Sequence, residues 1–98
     1  MICYKIHSSA TGEVLAACDA ELLEKKLKNN GIDFYITKAF YGKEKIGKEE
    51  FKEILKEHTN INLVGEKTVK AAIEVGLATE NNIKRISGVP HLQIYIIE

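Results

Sequence analysis

A basic segment that contains two aromatic side chains is the strongest chemical signal in the sequence. Between positions 38 and 48, four lysines and one glutamate surround Phe40 and Tyr41. An aromatic ring can stack on a nucleobase while lysines contact the phosphates. The segment therefore predicts an RNA- or partner-binding surface made of Phe40, Tyr41, Lys43, Lys45 and Lys48. Arg85 would extend this surface if the sheet brings it close. The alternative is a solvated loop after a strand whose aromatic side chains belong to the core.

Four polar residues in the second half of the chain form another candidate site. Asn62 and Glu66 stand at the predicted start of a helix, where backbone N–H groups can bind an anion, although Glu66 would repel one. His91 and Gln93 alternate along the last predicted strand and so share one face. If the fold gathers all four, they predict a small-molecule or metal site with an enzymatic role as one outcome. The alternative is structural, with Asn62 capping the helix and the other residues satisfying buried polar groups.

Motifs that pre-form a catalytic or metal centre are missing from the sequence. Its three histidines and two cysteines show no C-x-x-C or zinc-type histidine spacing, and no P-loop or G-x-G-x-x-G stretch is present. Cys18, followed by Asp19 at a predicted helix start, is the best nucleophile candidate, because a helix N-terminus lowers the pKa of a thiol. A strand end followed by a helix cap explains the same pair. We therefore expect no catalytic residue, no bound metal and no cofactor.

Length and composition indicate a single domain over residues 1–98. The chain carries 14 basic and 14 acidic side chains, and this zero net charge argues against non-specific coating of nucleic acid. Hydrophobic residues make up 45% of it, too many for a disordered protein. No apolar run is long enough to span a membrane, and the first residues do not resemble a secretory signal. With only two cysteines, the expected location is the reducing cytoplasm, without a membrane partner.

The first half of the chain predicts a hairpin, a helix and a strand. Residues 2–7 and 13–18 flank a cluster of turn-forming residues and predict an antiparallel hairpin in which Cys3 faces Cys18. Asp19 is a natural N-cap for a helix near 20–29 that ends at Asn30-Gly31. The alternating residues 32–41 predict a strand.

The second half predicts two helices and two strands. Gly47 precedes a helix over 48–58, and the apolar spacing of residues 61–76 predicts a helix over 62–75. Gly65 lies on the inward face of that helix, which suggests that another backbone comes close there. Strands follow at 83–86 and 91–97. The order ββαβααββ indicates an α+β fold, with an N-terminal β-hairpin and three helices packed on a mainly antiparallel sheet.

Several short segments, in order along the chain, resemble the archaeal domain-of-unknown-function family 424. The resemblance covers essentially the whole chain and rests on Val14-Leu15-Ala16-Ala17-Cys18-Asp19 with Glu21-Leu22-Leu23, on Phe40-Tyr41-Gly42, on Asn62-Leu63-Val64-Gly65-Glu66 and on Gly88-Val89-Pro90-His91 with Gln93. It implies a small α+β protein of the archaeal cytosol with no established activity, so no catalytic residue can be transferred. It also implies an association with translation genes, which favours RNA or a translation factor as the partner.

These observations support three hypotheses. The leading one is a non-catalytic accessory protein that contacts RNA or a translation factor through the basic, aromatic segment. The second is a small-molecule or metal-binding protein with its site around Asn62, Glu66, His91 and Gln93. The third is a protein-interaction module that docks a partner through a sheet edge or a helix face. The oligomeric state stays open at this point.

Overall fold

The structure, a computed structural model, describes residues 1–97 and contains one six-stranded sheet with helices on it. The bounds of the strands are β1 Ile2–Ser9, β2 Gly12–Asp19, β3 Lys26–Asn29, β4 Ile32–Tyr35, β5 Glu44–Ile46, β6 Asn60–Val64, β7 Lys84–Ile86 and β8 Val89–Tyr95. The helices are α1 Lys38–Tyr41, α2 Lys48–Leu55 and α3 Glu66–Glu74, and single 3-10 turns occupy Ala20–Leu22 and Glu80–Asn82. None of the described helices is long and apolar enough to span a bilayer.

The strands of the large sheet lie in the order β5-β1-β2-β6-β8-β7, while β3 and β4 form a separate hairpin. Among the pairs in the large sheet, β2 and β6 run parallel and the others antiparallel. The α+β class, the number of helices and the mainly antiparallel sheet are therefore confirmed, although α1 lies within the strand predicted over 32–41. The predicted register of the N-terminal hairpin is also confirmed, since Cys3 pairs with Cys18.

The sheet buries both of its faces against different layers. Helices α2 and α3 cover one face, here called the helix face, around a core that includes Ile2, Leu15, Phe51, Leu55, Ile61, Leu63, Val69 and Leu92. The β3–β4 hairpin and α1 cover part of the other face, here called the hairpin face, around Cys3, Ala16, Cys18, Ile36, Tyr41 and Val64. Because successive residues of a strand point to opposite faces, each buried strand contributes to both cores.

The helix predicted near 20–29 is wrong. A 3-10 turn at Ala20–Leu22 is followed by strand β3, which pairs with β4. Asn30 and Gly31 have φ values of 53° and 81°, which suit the tight turn of a hairpin rather than the end of a helix. Leu22, Leu23 and Leu27 do pack inward as predicted, because their spacing satisfies a turn followed by a strand as well as a helix.

Two further predicted elements have another secondary structure over part of their length. The strand predicted over 32–41 stops at Tyr35, and Thr37 then caps helix α1 by accepting a hydrogen bond from the Phe40 N–H at 3.3 Å. The helix predicted over 62–75 begins at Glu66, because residues 60–64 form β6. Ile61 and Leu63 alternate into the helix-face core, and strand alternation thus overrides the helical spacing at this end.

The two cysteines are buried side by side and are predicted to resist alkylation. Cys3 and Cys18 are free thiols with no solvent exposure. Burial, reinforced by the neighbouring Cys3 thiol, raises the pKa of Cys18 to about 12, and the thiolate is the reactive species. Iodoacetamide at about pH 8, near the ordinary thiol pKa, should leave the mass of the native protein unchanged and add two groups after unfolding in guanidinium chloride. Native alkylation at the unfolded rate would contradict this burial.

Candidate nucleic-acid interface

Helix α1 is held on the hairpin face by two polar side chains of β1. The Lys5 ammonium donates a hydrogen bond to the Ala39 carbonyl at 3.2 Å. The His7 Nε2–H donates to the Phe40 carbonyl at 2.7 Å, because a carbonyl oxygen can only accept. Alternation along β1 puts Lys5 and His7 on the same face as Cys3. Strand β1 therefore fixes the position of a helix that is too short to be stable alone.

The aromatic pair of α1 divides into an exposed ring and a buried ring. Phe40 is 37% exposed and stacks on His7, with ring centroids 4.9 Å apart and planes inclined by 22°. Tyr41 is buried, and its hydroxyl donates to Asn62 Oδ1 at 2.9 Å. Burial raises the pKa of that hydroxyl, so it stays a donor at neutral pH. Phe40 can therefore offer a surface to a ligand, whereas Tyr41 anchors α1 to the sheet.

Four lysines from β1, α1 and the segment that runs from α1 through β5 make no ion pair within residues 1–97: Lys5, Lys38, Lys43 and Lys45. Lys45 pairs with Cys3 in the register of β5 and β1, which places it on the same face as Lys5 and His7. Glu44 is the acidic neighbour, and it pairs with Tyr4 on the opposite face. We call the set Lys5, His7, Lys38, Phe40, Lys43 and Lys45 the Phe40 surface.

Two of the predicted cations do not lie on the Phe40 surface. Lys48 starts α2, and its ammonium lies 2.7 Å from a Glu74 carboxylate oxygen. Lys48 and then Lys52 lower the pKa of Glu74 to about 2, so the glutamate stays charged at neutral pH and neutralises Lys48. Arg85 lies in β7, at the sheet edge opposite to β5, and it reaches Glu66 at 3.4 Å. The sheet therefore does not bring Arg85 to the basic segment.

Beside the Phe40 surface is a cavity of about 340 Å³ at the edge of the sheet. It opens at the first residue of β5, where β1 continues beyond its pairing with β5. It is lined by Tyr4, Lys5, Ile6, Lys38, Gly42, Lys43 and Glu44. Gly42 has a φ of 81°, and a Cβ there would overlap the Tyr4 carbonyl. The chain can thus turn from α1 into β5 directly against β1 only because position 42 is glycine.

Comparison with known proteins identifies the family. The family described as a protein of unknown function (DUF424) matches residues 6–97. The chain belongs to the DUF424 family. The crystal structure of an uncharacterized conserved protein from Methanopyrus kandleri matches this DUF424 chain with a TM-score of 0.84 and 31% sequence identity, over 98% of this chain and 91% of the other. No curated protein matches the chain. The resemblance predicted from the sequence is thereby confirmed.

In this DUF424 protein, the second predicted site is divided between the two faces of the sheet. Asn62 pairs directly with Gln93, and His91 lies two residues along β8, so these three share the hairpin face. Glu66 instead lines a separate cavity with Arg85 and Pro90 next to α3. Asn62 already uses its side-chain oxygen to accept from Tyr41. Within residues 1–97, no three histidine, cysteine or acidic side chains converge as a metal would require.

His91 is the unusual member of that divided site. Its Nε2 is buried and has no hydrogen-bond partner in the described residues, while its ring meets the edge of Phe34 at 5.6 Å. Burial, followed by the charge of Lys84, lowers the pKa of His91, which keeps the ring neutral. A neutral ring packed on Phe34 explains its position between β7 and the β3–β4 hairpin.

Asp19 occupies the helix terminus where an anion site was considered. Its carboxylate is 3% exposed and accepts the N–H groups of Lys67 and Thr68, each at 3.0 Å. Burial raises the pKa of Asp19, against the lowering effect of these two hydrogen bonds. Asp19 therefore caps α3 rather than the helix predicted at 20–29. The predicted capping role of Asn62 is wrong, since Asn62 lies inside β6.

Three members of the Phe40 surface are absent from the predicted site: Lys38, which stands in the basic segment, and Lys5 and His7. Lys5 and His7 stand on the polar face of the first predicted strand, and their alternation is visible in the sequence. That pattern gives their face but not their neighbour, because the contact with α1 joins residues more than thirty positions apart. The signal in the sequence is a strand with one apolar face and two polar residues on the other. Such polar residues are candidates for a binding surface.

Proposed function

We propose that this DUF424 protein is a non-catalytic accessory protein that binds single-stranded RNA through the Phe40 surface. The observation that supports the proposal is an exposed phenylalanine stacked on a histidine, on a surface that carries four lysines without an ion pair in the described chain. The association with translation genes implied by the family resemblance makes the RNA of the translation machinery the first partner to test.

The charge distribution supports a local contact rather than a general affinity for nucleic acid. The chain as a whole is neutral. On the helix face, lysines and glutamates neutralise one another, as Lys48 and Lys52 do with Glu74. The lysines of the Phe40 surface have no such partners in the described chain. Unpaired ammonium groups keep their full attraction for phosphates, and that attraction weakens as salt is added.

The exposed ring favours a single strand over a duplex. In an RNA helix the bases are stacked on one another and the deep groove is closed to side chains, whereas an unpaired base can stack on an aromatic ring. Each such stack contributes about 1–3 kcal/mol by alanine substitution. The His7 ring packs against one face of Phe40 and restricts the motion of that side chain. Less conformational entropy of Phe40 is therefore lost when a base binds.

Binding to a single-stranded RNA across a salt series tests the proposal. At about 50 mM salt, the wild-type protein should bind with a log–log salt slope of about −3, the value for four phosphate contacts. The double variant Lys43→Glu, Lys45→Glu should lose at least about tenfold in affinity and about half of that slope. Phe40→Ala should lose about 5- to 150-fold, the equivalent of one stacked base.

The matched control is Lys25→Glu, Lys70→Glu, which makes the same change of net charge at exposed lysines outside the Phe40 surface. Its affinity should stay within about threefold of the wild type, since long-range effects between exposed charges are screened. No binding at low salt, or equal losses in the two double variants, would overturn the proposal. Capture of a protein partner that survives the reversal of Lys43 and Lys45 would instead favour a protein-interaction module.

A further inference from the structure

The cavity beside the Phe40 surface lies along an open edge of the sheet. Strand β5 pairs with β1 only from Ile2 to Tyr4, and in the described chain no strand covers the same edge beyond that point. The Tyr4 carbonyl points to this edge, towards Gly42. Since backbone groups alternate along a strand, the N–H and C=O of Ile6 also point outward into the open space. The cavity therefore offers backbone donors and acceptors as well as side chains.

The side chains of the cavity are sorted by chemistry. Tyr4 and Ile6 share the helix face of β1 and supply an apolar wall, with Ile6 39% exposed. Glu44 pairs with Tyr4 and so starts on that same face, beside the wall. Its carboxylate has no hydrogen bond or ion pair within residues 1–97. Three lysines of the Phe40 surface also line the cavity: Lys5, Lys38 and Lys43. The cavity is therefore lined by two apolar side chains, one carboxylate and three lysines.

A single carboxylate distinguishes the four bases by their hydrogen-bond donors. An ionised carboxylate only accepts, and its two oxygens can take two parallel bonds. Guanine presents two adjacent donors, N1–H and N2–H, on its Watson–Crick edge. Adenine and cytosine present one amino group each, and uracil presents one N–H between two oxygens that a carboxylate repels. Unpaired bases in RNA are read on these edges, so a guanine fits this cavity best.

We propose that the cavity takes one unpaired guanine of the bound RNA, with its base on Tyr4 and Ile6 and its Watson–Crick edge on Glu44. The inference rests on the proposed function, because the lysines that hold the phosphates belong to the Phe40 surface. Lys5, Lys38 and Lys43 line the cavity and belong to the Phe40 surface, so in this proposal one strand places a base in the cavity and another on Phe40. Glu44 then sets the sequence preference and the lysines set the affinity.

Four uridine oligonucleotides of about nine nucleotides, a length that small single-strand-binding domains cover, test this assignment. The central nucleoside is guanosine, inosine, adenosine or uridine. The wild-type protein should bind the guanine form about tenfold more tightly than the all-uridine form, as expected for one bidentate contact. Inosine keeps N1–H and lacks the N2 amino group, so its affinity should lie between the two.

The variants separate sequence preference from affinity. Glu44→Ala should abolish the preference for guanine while all-uridine RNA binds as well as before or better, because a negative charge is removed. Glu44→Gln keeps one acceptor and should retain a reduced preference. The matched control Glu57→Ala, at another exposed glutamate without an ion pair in the described chain, should keep the wild-type preference. Phe40→Ala should weaken all four oligonucleotides by the same factor.

Each alternative outcome contradicts a different claim. Equal binding of the four oligonucleotides by the wild-type protein would overturn the guanine assignment and leave the RNA-binding function standing. A guanine preference that persists in Glu44→Ala would place the base elsewhere and overturn the assignment as well. No binding of any oligonucleotide at low salt would overturn the proposed function and the guanine site together.

Discussion

Substitution of Gly65 by alanine is expected to lower the free energy of unfolding by about 3–4 kcal/mol. Gly65 joins β6 to α3 with a φ of 118° and a ψ of 156°, a region that only glycine adopts readily and that costs other residues about 1–3 kcal/mol. A Cβ at this position would also overlap the carboxylate of Asp19. The carboxylate would have to move, and the two N–H groups at the start of α3 would lose their acceptor.

The second part of this loss comes from a buried cap. Asp19 accepts from Lys67 and Thr68, and the Thr68 hydroxyl donates back to the Gly65 carbonyl at 3.1 Å. These groups are withdrawn from water, and a buried donor left without a partner costs about 1–3 kcal/mol. The Gly65 N–H also donates to the Pro90 carbonyl at 2.9 Å. A shift at Gly65 would therefore disturb the contact with β8 as well.

Urea denaturation followed by circular dichroism measures the effect, and Gly12→Ala is the matched control. Gly12 has a φ of 127°, close to that of Gly65, but a Cβ there would meet no atom within 4 Å. We expect Gly12→Ala to cost about 1–2 kcal/mol, from backbone strain alone. Equal losses in the two variants would show that the contact with Asp19 contributes nothing to stability.

The case of Asp19 shows what the sequence could and could not predict. A carboxylate in the residue after a strand is a good helix cap, and the sequence alone indicated this chemistry. The sequence did not indicate which helix is capped, because the hydrogen bonds run to residues 48 and 49 positions away. The sequence predicts Gly65 inside a helix with another backbone close to it, whereas Gly65 precedes α3 and its close neighbour is the Asp19 carboxylate. The group that approaches became known only from the pairing of β2 with β6.

The elements divide in the same way between local and long-range causes. The register of the N-terminal hairpin followed from a short turn and a clear alternation, both of which are local. Between Leu22 and Leu27 the sequence predicts a helix, which is wrong. The spacing of Leu22, Leu23 and Leu27 fits the period of a helix and also a turn followed by a strand, so the pattern does not distinguish them. Long-range packing determines the structure of this region, because the β3–β4 hairpin packs on the hairpin face of the large sheet. Local pattern settles an element only where one period fits better than the other.

The Phe40 surface also combines local and long-range parts. Phe40, Lys43 and Lys45 are close in sequence and were predicted together, whereas Lys5 and His7 reach them from β1. Arg85 was expected nearby, but sheet order cannot be read from strand patterns, and the structure puts its strand at the opposite edge. Tyr41 looked equivalent to Phe40 in the sequence. In the structure its hydroxyl donates a hydrogen bond to Asn62, and its ring is buried in the core.

Substitution of Gly42 by alanine should reduce both stability and RNA binding, because this residue connects α1 to β5. Gly42 has a φ of 81° and a ψ of −179°, and a Cβ there would overlap the backbone of Tyr4 and crowd the Cβ of Lys5. Backbone atoms of a paired strand cannot move aside as a flexible side chain can. We expect a loss of about 3 kcal/mol from the strained conformation and the displaced contact.

The expected effect on binding follows from the position of Gly42 between the two halves of the Phe40 surface. Moving the chain away from β1 shifts Lys43 and Lys45 relative to Phe40 and opens the cavity lined by Gly42. Under conditions in which the variant remains folded, its affinity for single-stranded RNA should fall about tenfold, as expected when one good contact is lost. Circular dichroism at the temperature of the binding measurement establishes that the protein is folded.

Gly31→Ala is the matched control for this variant. Gly31 has the same φ of 81°, in the turn between β3 and β4, but a Cβ there would meet no atom within 4 Å. Its substitution should cost about 1 kcal/mol and leave RNA binding unchanged. Any stability that Gly42→Ala loses beyond the loss in Gly31→Ala therefore measures two effects: the clash with β1 and the strain of the ψ of Gly42. If Gly42→Ala binds RNA as tightly as Gly31→Ala, the spacing of Phe40 and the lysines does not determine affinity, and the Phe40 surface is not the binding site.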